Sequence, residues 1–253
     1  TIKIRKYLLS LGPVMNLKSS ISSKEVSHSI WIVVILTLVF GFNDGRDVFV
    51  LSNWLYNLVN VFVLVCVSIL ATIIAAKITA SHFGEEAELK ILGINKGFNL
   101  LGFKIKSIPI TAIIAFVLMI VSRGIIYFTS IFTIDVSKKP NFGKVLYENR
   151  EALIYFWALM ANLALIVVFN YLNVELGVLI NMWLLIWNIL PIPGFLGSKI
   201  FFNNKILYIF FLVFALLLMI FTGKINTILL LVLALLIGFL VMIWWIFRKE
   251  YKS

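Results

Sequence analysis

The sequence is poor in the residues that usually carry soluble enzyme chemistry. Among 253 residues there are one cysteine, two histidines and five prolines, and 11 acidic side chains stand against 22 basic ones. The single Cys66 lies inside an apolar run, which excludes an intramolecular disulfide framework and a thiolate metal site. Charge of either sign is scarce at 13% of positions, where a soluble domain carries about a quarter. What replaces it is apolar: 62% of the residues are hydrophobic and the mean hydropathy is +1.07. This is the composition of a polytopic membrane protein. Its 22 phenylalanines, 7 tryptophans and 8 tyrosines fit rings that face lipid or sit at the interfaces.

A net charge of +11 invites a nucleic-acid reading, which the distribution excludes. The basic residues sit mostly in short segments between apolar runs, where they set topology and meet anionic headgroups. Membrane lipid is thus an expected partner and nucleic acid is not. The stretch at Thr1 is basic and partly apolar, carries no small-residue cleavage site, and leaves room for an upstream or targeting segment.

A helix needs roughly 20 apolar residues to cross about 30 Å of hydrocarbon. The candidate runs are 28–43, 54–80, 108–134, 151–172, 177–199, 206–222 and 226–247. Segment 81–107 differs: polar, glycine-punctuated and partly alternating, it reads as short strands at the membrane edge. If 108–134 dips in and returns, only Arg46 and Lys224 face away from the side of the N-terminus, with Lys77 and Arg123 inside apolar runs. If it crosses, the basic residues divide evenly. The positive-inside rule selects the first arrangement, with both termini cytoplasmic. Arg123 is expected deep in the bundle, buried against protein or water. The expected fold is therefore an all-α polytopic bundle of about six transmembrane helices, plus one re-entrant element and a short membrane-edge β segment. Three units are expected: an N-terminal basic segment with the first helix (1–53), a core (54–205), and two C-terminal helices with a basic tail (206–253).

One stretch interrupts the apolar runs with an asparagine, two prolines and two glycines: "NILPIPGFLGSK", with Asn188, Pro191, Pro193, Gly197, Ser198 and Lys199. It resembles the "N-L-L-P-x-P-P-L-D-G-S-K" motif of site-2 proteases, the intramembrane zinc metalloproteases, in an archaeal-type branch. A second stretch, "TIIAAKITASHFGEEAEL" from Thr72, resembles that branch's run of H-E-x-x-H-K-x-x-A-x-x-x-G followed by A-E, with Lys77, Ala80, Gly84, Ala87 and Glu88 in register. "YFWALMANLALIVVF" resembles the family's "A-G-P-x-x-N" helix, keeping Asn162 where Ala158 and Leu159 replace Gly and Pro. "SRGIIYF" resembles "A-P-G-A-V-Y", and "FGKVLY" falls where a "G-K-I" stretch follows. Together these cover about residues 55 to 205.

The resemblance implies two His ligands and a general-base Glu on one helix, and a third, Asp ligand in the proline motif. Here those positions are Thr72, Ala76, Ile73 and Leu196. Catalytic zinc takes three protein ligands from His, Asp, Glu or Cys, with a water in the fourth position. The resemblance therefore implies an inactive pseudoprotease, with no catalytic residues, no metal ligands and no cofactor. His28 is far away in sequence. His82, beside Glu85, Glu86 and Glu88, reads as a solvated interface or as an alternative metal site. No GxSxG with a helical His partner is present, and Asp44, Asp47 and Asp135 all lie outside the long apolar helices, so serine and aspartyl proteolysis are excluded too.

Asn162 and Asn188, together with Pro191, Pro193 and Gly197, are the candidate groove residues. Intramembrane asparagines either line a retained substrate-like groove or bond helix to helix. Asn57, Asn60 and Asn170 read as packing or interfacial residues. Lys77 reads as snorkelling to the headgroups. The functional expectation is a regulatory module of a prokaryotic plasma membrane that binds transmembrane segments of other proteins or of an active relative. The alternatives are a structural accessory subunit of a larger membrane complex, an active metalloprotease with unusual ligands and, more distantly, a channel or transporter, for which no inverted repeat is found.

Overall fold

The computed structural model describes residues 21–46, 48–93, 98–100, 103–105, 109–137 and 144–250. The basic segment before residue 21, Asp47 and residues 138–143 lie outside the described residues. Eight helices and two short antiparallel strand pairs are described. Four helices, over Ser23–Gly41, Leu51–His82, Glu148–Tyr171 and Thr227–Phe247, are long and apolar enough to cross a membrane. The protein is a predominantly helical membrane protein carrying a small sheet.

Helix α1, Ser23–Gly41, starts where the Ser22 hydroxyl accepts from the Lys24 N–H, and runs nearly uninterrupted through Ile, Val, Leu and Phe. It ends at an Asn43–Gly45 turn, where the Gly45 N–H donates to Asn43 Oδ1 at 2.8 Å and φ is +74°. Helix α2, Leu51–His82, returns along it; its 32 residues make a rod of about 48 Å at 1.5 Å per residue. Gly84 at φ +70° closes its end, with the Glu85 N–H bonded to the Ala80 C=O at 2.8 Å.

Strand β1, Ala87–Ile91, follows at once and pairs with β4, Phe132–Val136. A separate hairpin of β2, Phe98–Leu100, and β3, Phe103–Ile105, lies between them in sequence. The strands expected at 81–107 are present, and the residues leading to β4 make a second hairpin. Helix α3, Ile110–Val121, has 12 residues and spans about 18 Å. The chain then turns at Ser122–Gly124 and returns without helix to β4. Both ends of this excursion meet at the sheet, where the Leu92 N–H donates to the Ile131 C=O at 2.8 Å and the Thr111 hydroxyl to the Leu92 C=O at 2.5 Å. Its tip touches the α1–α2 turn: Asn43 Nδ2 bonds the Arg123 C=O at 3.4 Å.

Arg123 is thus exposed at that tip with φ 54°, rather than buried at mid-depth. The sequence placed it within an apolar run; the backbone stops the helix just before it. The Gly124 N–H to Met119 C=O bond (2.8 Å) repeats the α2 cap, and Asn173 (φ 56°) does the same after the helix that ends at Tyr171.

Three polar groups of the return stretch 125–131 bond to helix α5, Glu175–Ile189. Trp187 Nε1 donates to the Tyr127 C=O at 2.6 Å and Thr129 Oγ1 to the Trp183 C=O at 2.8 Å. Ser130 Oγ bonds Asn188 Oδ1 at 3.1 Å. Non-helical backbone among apolar helices is tolerable only where protein partners it in this way.

Helix α4, Lys144–Tyr171, is central: 56% of its apolar window is buried, against 17% for α8, Thr227–Glu250. The run expected at 177–199 is broken. Helix α5 ends at Ile189, Pro191 and Pro193 cannot continue it, and Gly194 takes φ +97° against Leu92 at the foot of the sheet. A short helix α6, Leu196–Asn203, follows, then α7, Lys205–Phe221, whose N-cap Asn204 accepts from the Leu207 N–H. Helix α7 packs on α8.

Candidate functional site: a polar chamber beneath the bundle

The sequence-derived positions fall on three elements around α4. Ser68, Thr72, Ala76 and Ala80 are spaced by four on α2 and all are buried. The Thr72 hydroxyl donates to the Ser68 C=O at 2.9 Å and accepts from Asn162 Nδ2 of α4 at 3.1 Å. Both side chains are essentially inaccessible. Ile73 and Ala76 border a small void between α2 and the sheet, shared with Leu89 and Ile134. Leu196 is wholly buried at the start of α6, which packs on α4.

A zinc ion at these positions would find one hydroxyl, already bonded on both sides, and two hydrocarbon side chains. Ala76 and Leu196 carry no donor atom, and Ile73 cannot accept a proton. The residues present do not fit the ion.

The candidate groove residues are distributed as follows. Asn162 is used by Thr72. Asn188 is fully buried, its Oδ1 bonded to Ser130 and its Nδ2 to the Leu184 C=O at 2.8 Å. Pro191 and Pro193 are exposed on the turn, and Gly197 is buried against the end of α5. The structure therefore gives both asparagines helix-to-helix and helix-to-hairpin bonds, and brings neither to an open cavity. Asn170 likewise bonds Thr227 of α8 at 3.2 Å.

The open polar space lies elsewhere. A chamber of about 460 Å³ is lined by residues of α1, α2, both strands β1 and β4, α4 and α6. One wall carries an ion pair that the sequence does not announce: Lys77 Nζ lies 2.9 Å from Glu25 Oε2, with only 3% of the glutamate side chain exposed. Lys77 does not snorkel, because a carboxylate 52 positions earlier meets it inside the protein. Each partner also holds the sheet. Glu25 Oε1 accepts from the Leu89 N–H at 3.2 Å, and Lys77 Nζ donates to the Ala87 C=O at 3.1 Å.

On the opposite side of the sheet, Lys199 Nζ donates to the Ile134 C=O at 2.6 Å, lies 3.6 Å from Asp135 and sits 4.9 Å from the Tyr155 ring centroid. Burial pulls its ammonium below the ordinary lysine range, against the opposing pull of the Asp135 and Glu151 carboxylates. Tyr155 Oη donates to Glu151 Oε1 at 2.6 Å, and Asn203 Nδ2 bonds the other oxygen at 3.2 Å. On the outer face Lys90 bridges Glu88 (3.2 Å) and Asp135 (3.1 Å); burial lowers its affinity for the proton, but the two carboxylates outweigh this and hold it above the usual range.

Sequence reasoning missed Glu25, Glu151 and Tyr155. Glu25 carried a misleading signal: Ser22-x-x-Glu25 has the form of a capping box, in which the glutamate would turn back to the cap. Its carboxylate instead reaches forward to α2 and β1. His82 stands at the end of α2, edge-to-face with the neighbouring Phe83 ring.

A second cleft, about 530 Å³ and almost wholly apolar, runs between α1 and α2 past Cys66 and Ile73 and meets the chamber at Glu25 and Lys77. Compared with known proteins, the chain matches no family model, no curated protein and no solved structure.

Proposed function

We propose that this chain is a catalytically inactive membrane protein of site-2-protease-like design, which holds or regulates membrane-spanning segments of other proteins. The observation that carries the reading is the donor set at the four mapped positions. Thr72 is consumed by Asn162, Ile73 and Ala76 face a void beside the sheet, and Leu196 is packed in hydrocarbon. Lewis-acid activation of water requires ligands those residues lack.

In this reading α1, α2, α4, α5, α7 and α8 are the six crossings. The hairpin of α3 and residues 125–131 enters and leaves on the side of the sheet, with both termini on that side, facing the cytoplasm. Pairing of Ile91 with Phe132 at the hairpin's foot, and contact of its tip with Asn43 at the far end of α1, support that arrangement. A partner segment would approach along the apolar cleft between α1 and α2 and meet the polar chamber at Glu25 and Lys77, so that hydrocarbon is recognised first and exposed backbone last.

The test is photo-crosslinking in native membranes from Ile73, in the cleft, and Ser137, at the chamber. Capture of another membrane-spanning chain, intact, is expected. Recovery of lipid alone would overturn the binding role, and a cleaved partner would overturn the inactivity.

A further inference from the structure

Two cavities of opposite character meet at one ion pair. The chamber of about 460 Å³ is polar, the cleft of about 530 Å³ between α1 and α2 is apolar, and Glu25 and Lys77 line both. From Lys77 the cleft follows α2 back to Phe62, about 22 Å at 1.5 Å per residue. The hydrocarbon of one leaflet is about 15 Å deep, half of a 30 Å core. The cleft is therefore long enough to sheathe a whole acyl chain. A headgroup on that chain would arrive at the sheet, where the chamber opens.

The charges of the chamber select the headgroup. The chain carries +11 in all, yet five carboxylates and three ammoniums line this space, an excess of two negative charges. Lys77 is met by Glu25, Lys90 by Glu88 and Asp135, and Lys199 by Asp135. Glu151 is hydrogen-bonded by Tyr155 and Asn203. Glu86, exposed where it lines the chamber, has no ion-pair partner among the described residues. A lysine ammonium carries three N–H donors. Lys77 spends one on Glu25 Oε2 and one on the Ala87 C=O, which leaves the third where the two cavities meet. Ala87 directly follows Glu86, so an unspent donor and an unpaired carboxylate stand on neighbouring points of one wall.

We infer that the two cavities form one site for a single phospholipid whose headgroup ends in a primary ammonium. One acyl chain lies in the α1–α2 cleft, a phosphate oxygen accepts the third Lys77 N–H, and the ammonium donates to Glu86. Such a lipid enters sideways from the leaflet beside the sheet without turning over. A headgroup of net negative charge would add to the excess already present. A quaternary ammonium donates no hydrogen bond and is held by aromatic faces. Tyr155 is the one aromatic side chain lining the chamber among the described residues, and Lys199 already sits over its ring. The site stands apart from the partner-binding role: the lipid needs no protein partner, and a segment entering the cleft would displace it.

The test is native mass spectrometry of the full chain in detergent, offered phosphatidylethanolamine, phosphatidylcholine or phosphatidylglycerol with the same acyl chains. Phosphatidylethanolamine carrying a diazirine on one chain is used in parallel, in nanodiscs, to locate that chain. One retained phosphatidylethanolamine per protein is expected, held about tenfold or more over the other two, as charge-assisted hydrogen bonds imply. Labelling is expected on Phe62, Ile69 and Ile73. Glu86→Gln should bring phosphatidylethanolamine down to the level of phosphatidylcholine. Cys66→Trp, which fills the cleft, should cut both retention and labelling about tenfold; Glu86→Gln, at an exposed position, decides if that variant does not fold.

Equal retention of the three lipids, or preference for phosphatidylglycerol, would overturn the inference. So would an unchanged preference in Glu86→Gln, or labelling confined to residues outside the cleft. Glycerophosphoethanolamine, which has the headgroup without the chains, is expected not to displace the lipid at equal concentration. Displacement by it would reduce the site to a soluble-amine pocket in the chamber and overturn the role of the cleft.

Discussion

Gly197 is the position where the geometry and the local propensity of the chain give opposite signs. It lies in the first turn of α6, where alanine is intrinsically favoured over glycine by about 1 kcal/mol. A Cβ there would stand 2.8 Å from the Asn188 C=O oxygen and closer still to the carbonyl group of Ile189. All of these are backbone atoms of the α5 terminus, so no rotamer change relieves the overlap. The start of α6 would have to back away, drawing Leu196 and Ile200 out of full burial and straining the Tyr208 Oη bond to the Ile189 C=O (3.1 Å). Overpacking of this kind costs about 1–3 kcal/mol, and immovable backbone puts it at the upper end. Subtracting the propensity gain leaves Gly197→Ala destabilised by about 1–2 kcal/mol. Thermal unfolding in micelles, followed by tryptophan fluorescence, reads the change. Gly238→Ala on α8 is the control, because its Cβ would meet the ring edge of Phe210 at 3.1 Å and the Phe210 C=O at an ordinary contact distance of 3.6 Å. A Gly197→Ala protein as stable as wild type, or more so, would refute the close approach of α6 to α5.

Three further outcomes are expected. Thr72→Val and Asn162→Leu should each cost about 1–3 kcal/mol by stranding a buried polar partner, and the double variant should cost clearly less than their sum; a double-mutant cycle of unfolding free energies decides. Arg123→Gly should stabilise by about 1 kcal/mol, since only glycine takes φ 54° without cost; equal or lower thermal stability would contradict the cap geometry. Lys90 holds its proton more tightly in the fold than in the unfolded chain, so its contribution is complete below the free-lysine value of about 10.4 and is lost as pH rises through the folded value. The stability difference between wild type and Lys90→Met should therefore shrink above that pH, and a constant difference would exclude the Glu88–Lys90–Asp135 cluster as its source.

Helices were legible wherever long apolar runs coincided with a local stop. Gly84 and the Asn173 turn end α2 and α4 as their residue types allow, and the strand at Ala87–Ile91 follows its alternation. The break at Pro191 and Pro193 was also legible, although the resulting helix α6 was not, because the apolar content of 177–199 masks a change of direction. Arg123 shows the limit most clearly. Nothing in its side chain favours a left-handed turn; the helix-end bonds from the Arg123 N–H to the Ile120 C=O (3.1 Å) and from the Gly124 N–H to the Met119 C=O (2.8 Å) hold it there, with Asn43 Nδ2 on its C=O. The site was harder still. Thr72 and Asn162 were named separately, but their bond joins positions 90 apart, and Lys77 met Glu25 across 52. Both pairings are made by packing, and a single sequence carries no mark of them. Asn188 illustrates the converse: its side chain was named from the sequence, but its partner, the Ser130 hydroxyl 58 positions earlier, was not.

The proposed reading, a site-2-protease-like bundle whose Thr72, Ile73, Ala76 and Leu196 lack the donors a catalytic zinc needs, is tested by metal analysis of the full chain purified from membranes without chelator, before and after zinc loading. Zinc well below one ion per chain is expected in both samples, with no change on Thr72→Val. A tightly held, stoichiometric zinc that survives dialysis and is lost on Thr72→Val would contradict it.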